Sequence, residues 1–257
     1  MPTPCLRDAH AMPFTLAHPA FILPLARCRF LHFPALVLGA MSPDFAYFLY
    51  GKPVNYGHGW EDIFWLDVPL TALFWLFYRH LLAEVLHENL PDCLNAAYPP
   101  TPRFRRSWQH VLCFTLSAAL GAFSHIVLDA FTHGNGAFVL HFEVLRQPVG
   151  GLALFKWLQY GGGIGGLAVL LWYQRRMARR FSAVSHKNGQ QKWQFWLRIG
   201  ASVCALLLAW QLIVPIAAKA AAIWVIRLVD ACILALAFAG LWKNSLKILF
   251  KPDRQTD

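Results

Sequence analysis

What most constrains this chain is a succession of apolar segments, each close to the ~20 residues a helix needs to cross a bilayer. Six stand out: 31–50, 63–82, 108–131, 152–173, 195–217 and 220–242. The first is interrupted by Pro34 and Pro43, so the expected count is five to six. The fold class that follows is all-α, a polytopic membrane helical bundle. No amphipathic period is expected, because lipid-facing and core-facing sides of such helices are both apolar. Composition agrees: only 14% of residues are charged and 57% are hydrophobic, whereas soluble domains average about 25% charged. A disordered chain, a small disulfide scaffold and an ordinary cytosolic enzyme are thereby disfavoured. The abundance of Trp, 11 residues, and Phe, 20 residues, suits rings seated at a bilayer interface.

The net charge of +10 does not read as a nucleic-acid footprint, which would need a basic stripe on a polar domain. Here the cations sit between apolar runs and sort by loop. Arg175, Arg176, Arg179, Arg180, Lys187, Lys192 and Arg198 surround one loop; Lys243, Lys247, Lys251 and Arg254 follow the last segment. Arg79, Arg103, Arg105 and Arg106 flank the loop between segments two and three, and Arg7, Arg27 and Arg29 precede segment one. Only Lys52, Arg146, Lys156, Lys219 and Arg227 fall on the other side. By the positive-inside rule this predicts six membrane spans with both termini cytoplasmic.

Three units are expected. Residues 1–11 form an N-terminal extension, since Met12 is an alternative start and the proline-rich opening lacks the order of a signal peptide. Residues 12–175 form the membrane helical domain, and 176–257 a basic loop with a C-terminal transmembrane helical hairpin. The six cysteines, Cys5, Cys28, Cys93, Cys113, Cys204 and Cys232, make no CxxC pair and read as inert. Gly161-Gly162-Gly163-Ile164-Gly165-Gly166 lies inside an apolar run with no following Lys, so it predicts close helix packing rather than a phosphate loop.

Chemistry concentrates in Ser124-His125-Ile126-Val127-Leu128-Asp129-Ala130-Phe131-Thr132-His133. His125, Asp129 and His133 are four residues apart and therefore share one helix face. Ionisable groups at membrane depth are costly, roughly 2.5–3.5 kcal/mol each on insertion scales, so three on one stripe need a shared compensator. A divalent metal, zinc above all, is one, since imidazole nitrogen and carboxylate oxygen are its ordinary ligands. The bland alternative is a His–Asp pair that anchors the helix near the interface. The topology brings Met41-Ser42-Pro43-Asp44 and Asn55-Tyr56-Gly57-His58-Gly59 to the same outer face. Alone, Asp44 reads equally as a turn residue and His58 as a loop histidine. His18 falls on the wrong side unless 14–45 is a folded hairpin or re-entrant unit. His141 and Glu143 are further candidates. Asp67, ahead of Val68-Pro69, reads as a helix N-cap, and Arg227 with Asp230 as an internal ion pair.

Several stretches together look familiar. Met12-Pro13-Phe14-Thr15-Leu16-Ala17-His18-Pro19, Leu36-Val37-Leu38-Gly39-Ala40-Met41-Ser42-Pro43-Asp44, Gly121 through His133, and Leu158-Gln159-Tyr160-Gly161 resemble a bacterial family of uncharacterised multi-pass membrane proteins with an MPFTxxHP opening. More distantly, the order His, Gly-x-x-x-Pro-Asp, His, His-x-x-x-Asp, His is similar to the zinc-dependent phospholipase C superfamily and to inner-membrane metal-dependent hydrolases. That similarity implies an all-helical bundle holding zinc ions. Asp44, His58, His125 and Asp129 would hold one ion, Asp129 would bridge to a second held by His18, and His133 would begin a third site. No His-x-x-x-Glu follows His133, which favours one or two metals over three.

The function expected on these grounds is an integral-membrane zinc-dependent hydrolase acting on a phospholipid or lipid-linked phosphoester. Asp44 or Asp129 would be the catalytic proton acceptor, and His18, Asp44, His58, His125, Asp129 and His133 the metal ligands. Membrane lipids are the expected partners; nucleic acid is not. The alternative is a non-enzymatic transporter or structural membrane protein, with His125 and Asp129 as an ion relay or holding a structural metal.

Overall fold

The structure, a computed structural model, describes residues 15–54, 56–98 and 106–249. The 1–11 extension, Met12-Pro13-Phe14, Arg103, Arg105, Lys251 and Arg254 lie outside the described residues. What is described is all-helical apart from a short antiparallel pair, Pro148–Val149 with Leu152–Ala153, and one bridge between Ala96 and Ser182. Five long helical runs carry the fold: α1 (63–89), α2 (Ser107–Thr132), α3 (Leu154–Arg180), α4 (Gly189–Ile213) and α5 (Ala221–Leu249).

Three helices among the described residues are long and apolar enough to cross a membrane: α2 with its continuation, Ser107–His141, then α4, and Ala221–Ser245 within α5. That is fewer than the five to six expected, and the reasons are local. Segment 63–82 is helical but interrupted by wide π-type turns at Ile63–Asp67 and Tyr78–Leu82. Segment 152–173 falls in α3, where five glycines, Lys156 and Gln159 dilute the hydropathy. Segment 31–50 is not one helix at all.

Residues 15–50 form a hairpin of short helices. Thr15–Ala17, Pro19–Ile22 and Leu23–Arg27 make one arm; Phe33–Gly39, Ser42–Asp44 and Phe45–Tyr50 make the other. Pro19, Pro24, Pro34 and Pro43 each sit in the first turn of a short helix, where a missing N–H costs nothing. The same prolines prevent any of these helices from merging into a long one. The tip lies against the lower half of α2: the Cys113 thiol donates to the Phe30 carbonyl (3.2 Å), and the His32 N–H donates to Ser117 Oγ (2.9 Å). The second arm then climbs α2 so that Asp44 arrives beside His125, and the first arm begins at the same end. His18 therefore reaches the outer-end candidates, as the re-entrant alternative requires.

Close backbone contact makes this possible. Among apolar helices in lipid, association depends on packing rather than on hydrophobic burial, and small residues let backbones touch. Here Gly39 rests on the Ala118 backbone, and Gly121 rests on the Leu36 carbonyl, with Ala40 N only 2.6 Å from where a Cβ would stand. Ala35, Ala40, Ala118 and Ala122 complete the seam, all buried. Gly240 of α5 makes a similar approach to Leu81. The 161–166 run is used only in part: Gly166 packs on Ala17, while an added Cβ at Gly161, Gly162 or Gly165 meets nothing within 4 Å.

At the end of the bundle away from Asp44, ion pairs join α5 to α1 and α4 to the segment that follows α1. Lys243 Nζ lies 3.0 Å from Glu84 and also pairs with Glu88, and Lys192 Nζ lies 2.6 Å from Asp92. The expected Arg227–Asp230 pair is not formed. Arg227 instead donates to Gln211 Oε1 (3.2 Å) and to the Val214 carbonyl (2.8 Å), one of the orphan acceptors at the end of α4. Asp230 is buried, and its Oδ2 has no hydrogen-bond partner among the described residues.

The seam predicts a contrast between two glycines. Gly121→Val drives a side chain into the hairpin backbone and should destabilise the protein by about 1–3 kcal/mol or more. Gly161→Ala meets open space and should leave stability unchanged or slightly raised. Thermal unfolding in detergent reads both, and equal midpoints for the two variants would refute the role given to the seam.

Candidate metal centre

The upper turns of α2 present His125 and Asp129 on one face, as their spacing requires, and His133 caps the helix, its N–H bonded to the Asp129 carbonyl at 3.0 Å. Three other segments meet this face. His18 comes from the first arm of the hairpin and Asp44 from the turn Ser42–Asp44. His58 comes from the loop before α1. That loop is shaped by Asp62, whose Oδ2 accepts from Gly57 N–H (2.9 Å) and Gly59 N–H (3.1 Å). Gly57 has φ +98°, a left-handed conformation that side chains resist, and it lies hard against the Pro43 carbonyl. A larger residue there would lift His58 away from Asp44.

Five of the six expected ligands converge. His58 Nε2 lies 3.3 Å from Asp44 Oδ1 and 3.5 Å from Asp129 Oδ2. His125 Nε2 lies 3.3 Å from Asp129 Oδ2 and 3.8 Å from Asp44 Oδ2. His18 Nε2 lies 3.1 Å from Asp129 Oδ1. Two sets of donor atoms, His18/His125/Asp129 and Asp44/His58/His125, each fall within 4.8 Å of one another. Ligands at ~2.1 Å around a tetrahedral ion stand about 3.4 Å apart, so these separations suit one cation or two adjacent ones. Asp129 is central, with Oδ1 toward His18 and His133 and Oδ2 toward His58 and His125.

The sixth, His133, joins neither set. Lys156 can only donate, and its Nζ lies 3.2 Å from Gln159 Oε1, so the Gln159 amide turns its NH2 to His133 Nε2, also at 3.2 Å. His133 Nε2 is thus an acceptor and Nδ1 carries the proton, which has two acceptors in reach, Asp129 Oδ1 and Thr132 Oγ1, both at 3.2 Å. In this geometry His133 lies against the Asp129 carboxylate and outside both donor sets. His141 packs edge-on against Phe142 and Glu143 accepts from Gln147, so neither enters the cluster.

The tautomer of His125 is settled in the same way. Its Nδ1 lies 2.9 Å from the Ala40 carbonyl, which can only accept, so Nδ1 bears a proton. The side chain is fully buried, and Nε2 has no hydrogen-bond partner among the described residues although it faces two carboxylates. A bare lone pair aimed at carboxylate oxygens is repulsive. It needs a proton or a cation between. The His125 ring also stacks on that of His18, at 3.8 Å between centroids with an interplanar angle of 12°. At the rim, burial disfavours the charged form of His58, but hydrogen bonds and charge from Asp129 and Asp44 outweigh it and lift its pKa to about 10. In the absence of a cation, this imidazolium balances the carboxylates.

Several supporting residues carry no strong signal in the sequence. Thr15 donates its hydroxyl to Asp44 Oδ2; Tyr47 stacks on His58 at 5.6 Å. Gln159 sits inside an apolar helix, which could have singled it out. Asp67 is not a helix N-cap: it is already helical (φ −70°, ψ −43°), makes no cap bond, and is fully buried with neither oxygen partnered among the described residues. The site is closed beneath His125 and open toward His58 and His133, which are about a quarter exposed (28% and 25%).

No curated protein and no solved structure matches the chain. A family model does match, over residues 12–243, which hold nearly all the described helices and every residue of this cluster. The chain therefore belongs to the uncharacterised family described as domain of unknown function DUF4184.

Proposed function

We propose that this protein is an integral-membrane, metal-dependent hydrolase, with zinc the favoured metal and a phospholipid or other lipid-linked phosphoester the substrate. The observation that carries the proposal is the His125 imidazole: Nδ1–H is pinned to a backbone carbonyl, and the buried Nε2, with no hydrogen-bond partner among the described residues, faces two carboxylates. Metal-bound histidines have this arrangement, with the far nitrogen fixed by an outer acceptor. Asp44, His58, His125 and Asp129 would hold one ion, and His18 with the other oxygen of Asp129 a neighbouring one. Zinc at such a position supplies a Lewis acid and a water acidified to pKa about 7. This chain's own residues do the rest. Thr15 holds one oxygen of Asp44, and the other, which faces His58, would accept a proton or join a ligand set. His133, oriented through Gln159 and Lys156, does the same for Asp129. The open side at His58 and His133 leaves room for substrate, which a purely structural metal would not need.

The proposed setting is a bacterial inner membrane with the cluster at the outer face, as the distribution of Lys and Arg suggests. A second reading, an ion relay in a transporter, is favoured by one feature: the buried carboxylate of Asp67, without a hydrogen-bond partner among the described residues and near enough to interact electrostatically with His58, His125 and Asp44.

Two measurements test the first reading. Elemental analysis of the purified full-length protein should find a divalent metal, lost in His125→Ala. In His133→Ala the metal should be retained but held about 10–100-fold more weakly, as for an outer-sphere partner. A metal-free wild type, or His125→Ala with wild-type metal content, refutes it. Hydrolysis of a chromogenic phosphodiester should be metal-dependent and fall by about 100-fold or more in Asp129→Asn. Metal-loaded protein without turnover, coupled to ion uptake in vesicles that fails in Asp129→Asn, would transfer the case to the relay.

A further inference from the structure

Beside the metal cluster lies an apolar groove that the cluster itself does not use. It occupies about 160 Å3 between the first arm of the hairpin and α2. Phe21, Ile22 and Leu25 form one wall, and Leu120, Phe123 and Val127 the other. Ser124 also lines it, but its hydroxyl is turned inward to the Gly121 carbonyl at 2.7 Å, so the groove offers no polar group. Phe21, Leu25, Leu120 and Phe123 remain exposed at its mouth.

The position decides what would fill it. The outer wall belongs to a helix long and apolar enough to cross a membrane, so the mouth opens onto acyl chains rather than water. The upper end is continuous with the cluster: Ser124 precedes His125, Val127 is two residues before Asp129, and Ile22 is one turn past His18. From Val127 down to Leu120 the groove follows α2 for ~10 Å. A polar, cation-holding end above a strip of purely apolar lining matches a phosphate-headed amphiphile, head at the cluster and one tail along the helix. A second copy of the chain would need a broader face than this narrow seam.

We infer that this groove binds one acyl chain of a membrane lipid and so selects lipid-anchored molecules that approach the cluster sideways from the bilayer. The inference deepens the hydrolase proposal and rests on it for the role of the head group, but the groove's occupancy can be tested separately.

The experiment uses the full chain in nanodiscs of phosphatidylethanolamine and phosphatidylglycerol, doped with a phosphatidylethanolamine bearing a diazirine at mid-acyl chain. After photolysis, adducts are mapped by peptide mass spectrometry. Adducts should concentrate on residues 21–25 and 120–127, several-fold above those on Leu208, Leu212 and Ile213 of α4, which are no less exposed. Leu120→Trp should fill the groove and cut labelling there, while metal content stays at the wild-type level. Uniform labelling of all exposed apolar faces overturns the inference, as does a groove left unlabelled because a second copy covers it, read from cross-linked dimers. If Leu120→Trp fails to fold, the wild-type contrast between groove and α4 still decides. A labelled groove in a metal-free, inactive protein removes the hydrolase reading and leaves the lipid site standing. An active, metal-loaded protein with an unlabelled groove does the reverse.

Discussion

The structure around the cluster depends on one electrostatic constraint. Two carboxylates, Asp44 and Asp129, share an almost dry space with the Nε2 atoms of His18, His58 and His125. Charges in such a place must be compensated largely by one another, because lipid cannot do it and water reaches them only at the His58 and His133 rim. Each donor in reach is already constrained: Nδ1 of His125 is committed to Ala40, one oxygen of Asp44 to Thr15, and one oxygen of Asp129 to His133. The atoms that remain face inward. A cation placed between them satisfies all of them at once. The chemistry that can follow is governed by this arithmetic of lone pairs more than by any single residue.

That constraint explains why the bundle is built so tightly beneath it. The Ala40 carbonyl can reach His125 only if the second arm of the hairpin lies against α2, and that is what Gly39 and Gly121 permit. The prolines of the hairpin serve the same end. Each stops a helix early, so the chain reverses within the bundle and returns Asp44 to the end where Thr15 and His18 began. A straight crossing by 31–50 would have separated these residues by the width of the membrane. The loop of His58 is pressed onto Pro43 through Gly57 and held by Asp62, a second case of backbone shape deciding where an imidazole stands.

The parts of this that were legible in the sequence are those with a fixed spacing or a large composition signal. The all-helical class followed from the apolar segments, and the shared face of His125 and Asp129 from their separation of four. His133, read as a ligand by the same rule, shows its limit. Spacing places a side chain on a face but does not say which of its nitrogens is free, and here Gln159 and Lys156 decide that from another helix. The count of spans was overestimated because picking out apolar segments neither sees π-type turns nor weighs the glycines, Lys156 and Gln159 that dilute α3. The Arg227–Asp230 pair was expected from spacing and lost to the unsatisfied carbonyl of Val214, an acceptor visible only once α4 is known to end there. The conflict over His18 had no solution along the chain, since it turned on whether 15–50 crosses or reverses. The glycine contacts that settle it are between residues about eighty positions apart.

Whether a metal held at this centre would perform chemistry or only support structure turns on access, and access has two sides here. Toward the end of the bundle, His58 and His133 leave the carboxylates partly open. Toward the bilayer, the groove between the hairpin and α2 reaches the residues next to His125 and Asp129. A structural site has no use for either opening, because each exposes costly polar groups to competing ligands. A site for a lipid phosphoester needs both, one to admit water and release a soluble head group, the other to receive a tail that never leaves the membrane. The same hairpin lines both openings: Asp44 and His18 face the first, and Phe21, Ile22 and Leu25 wall the second. Its short helices and proline breaks are thus suited to position an amphiphile at both of its ends, which a single continuous helix along this path could not do.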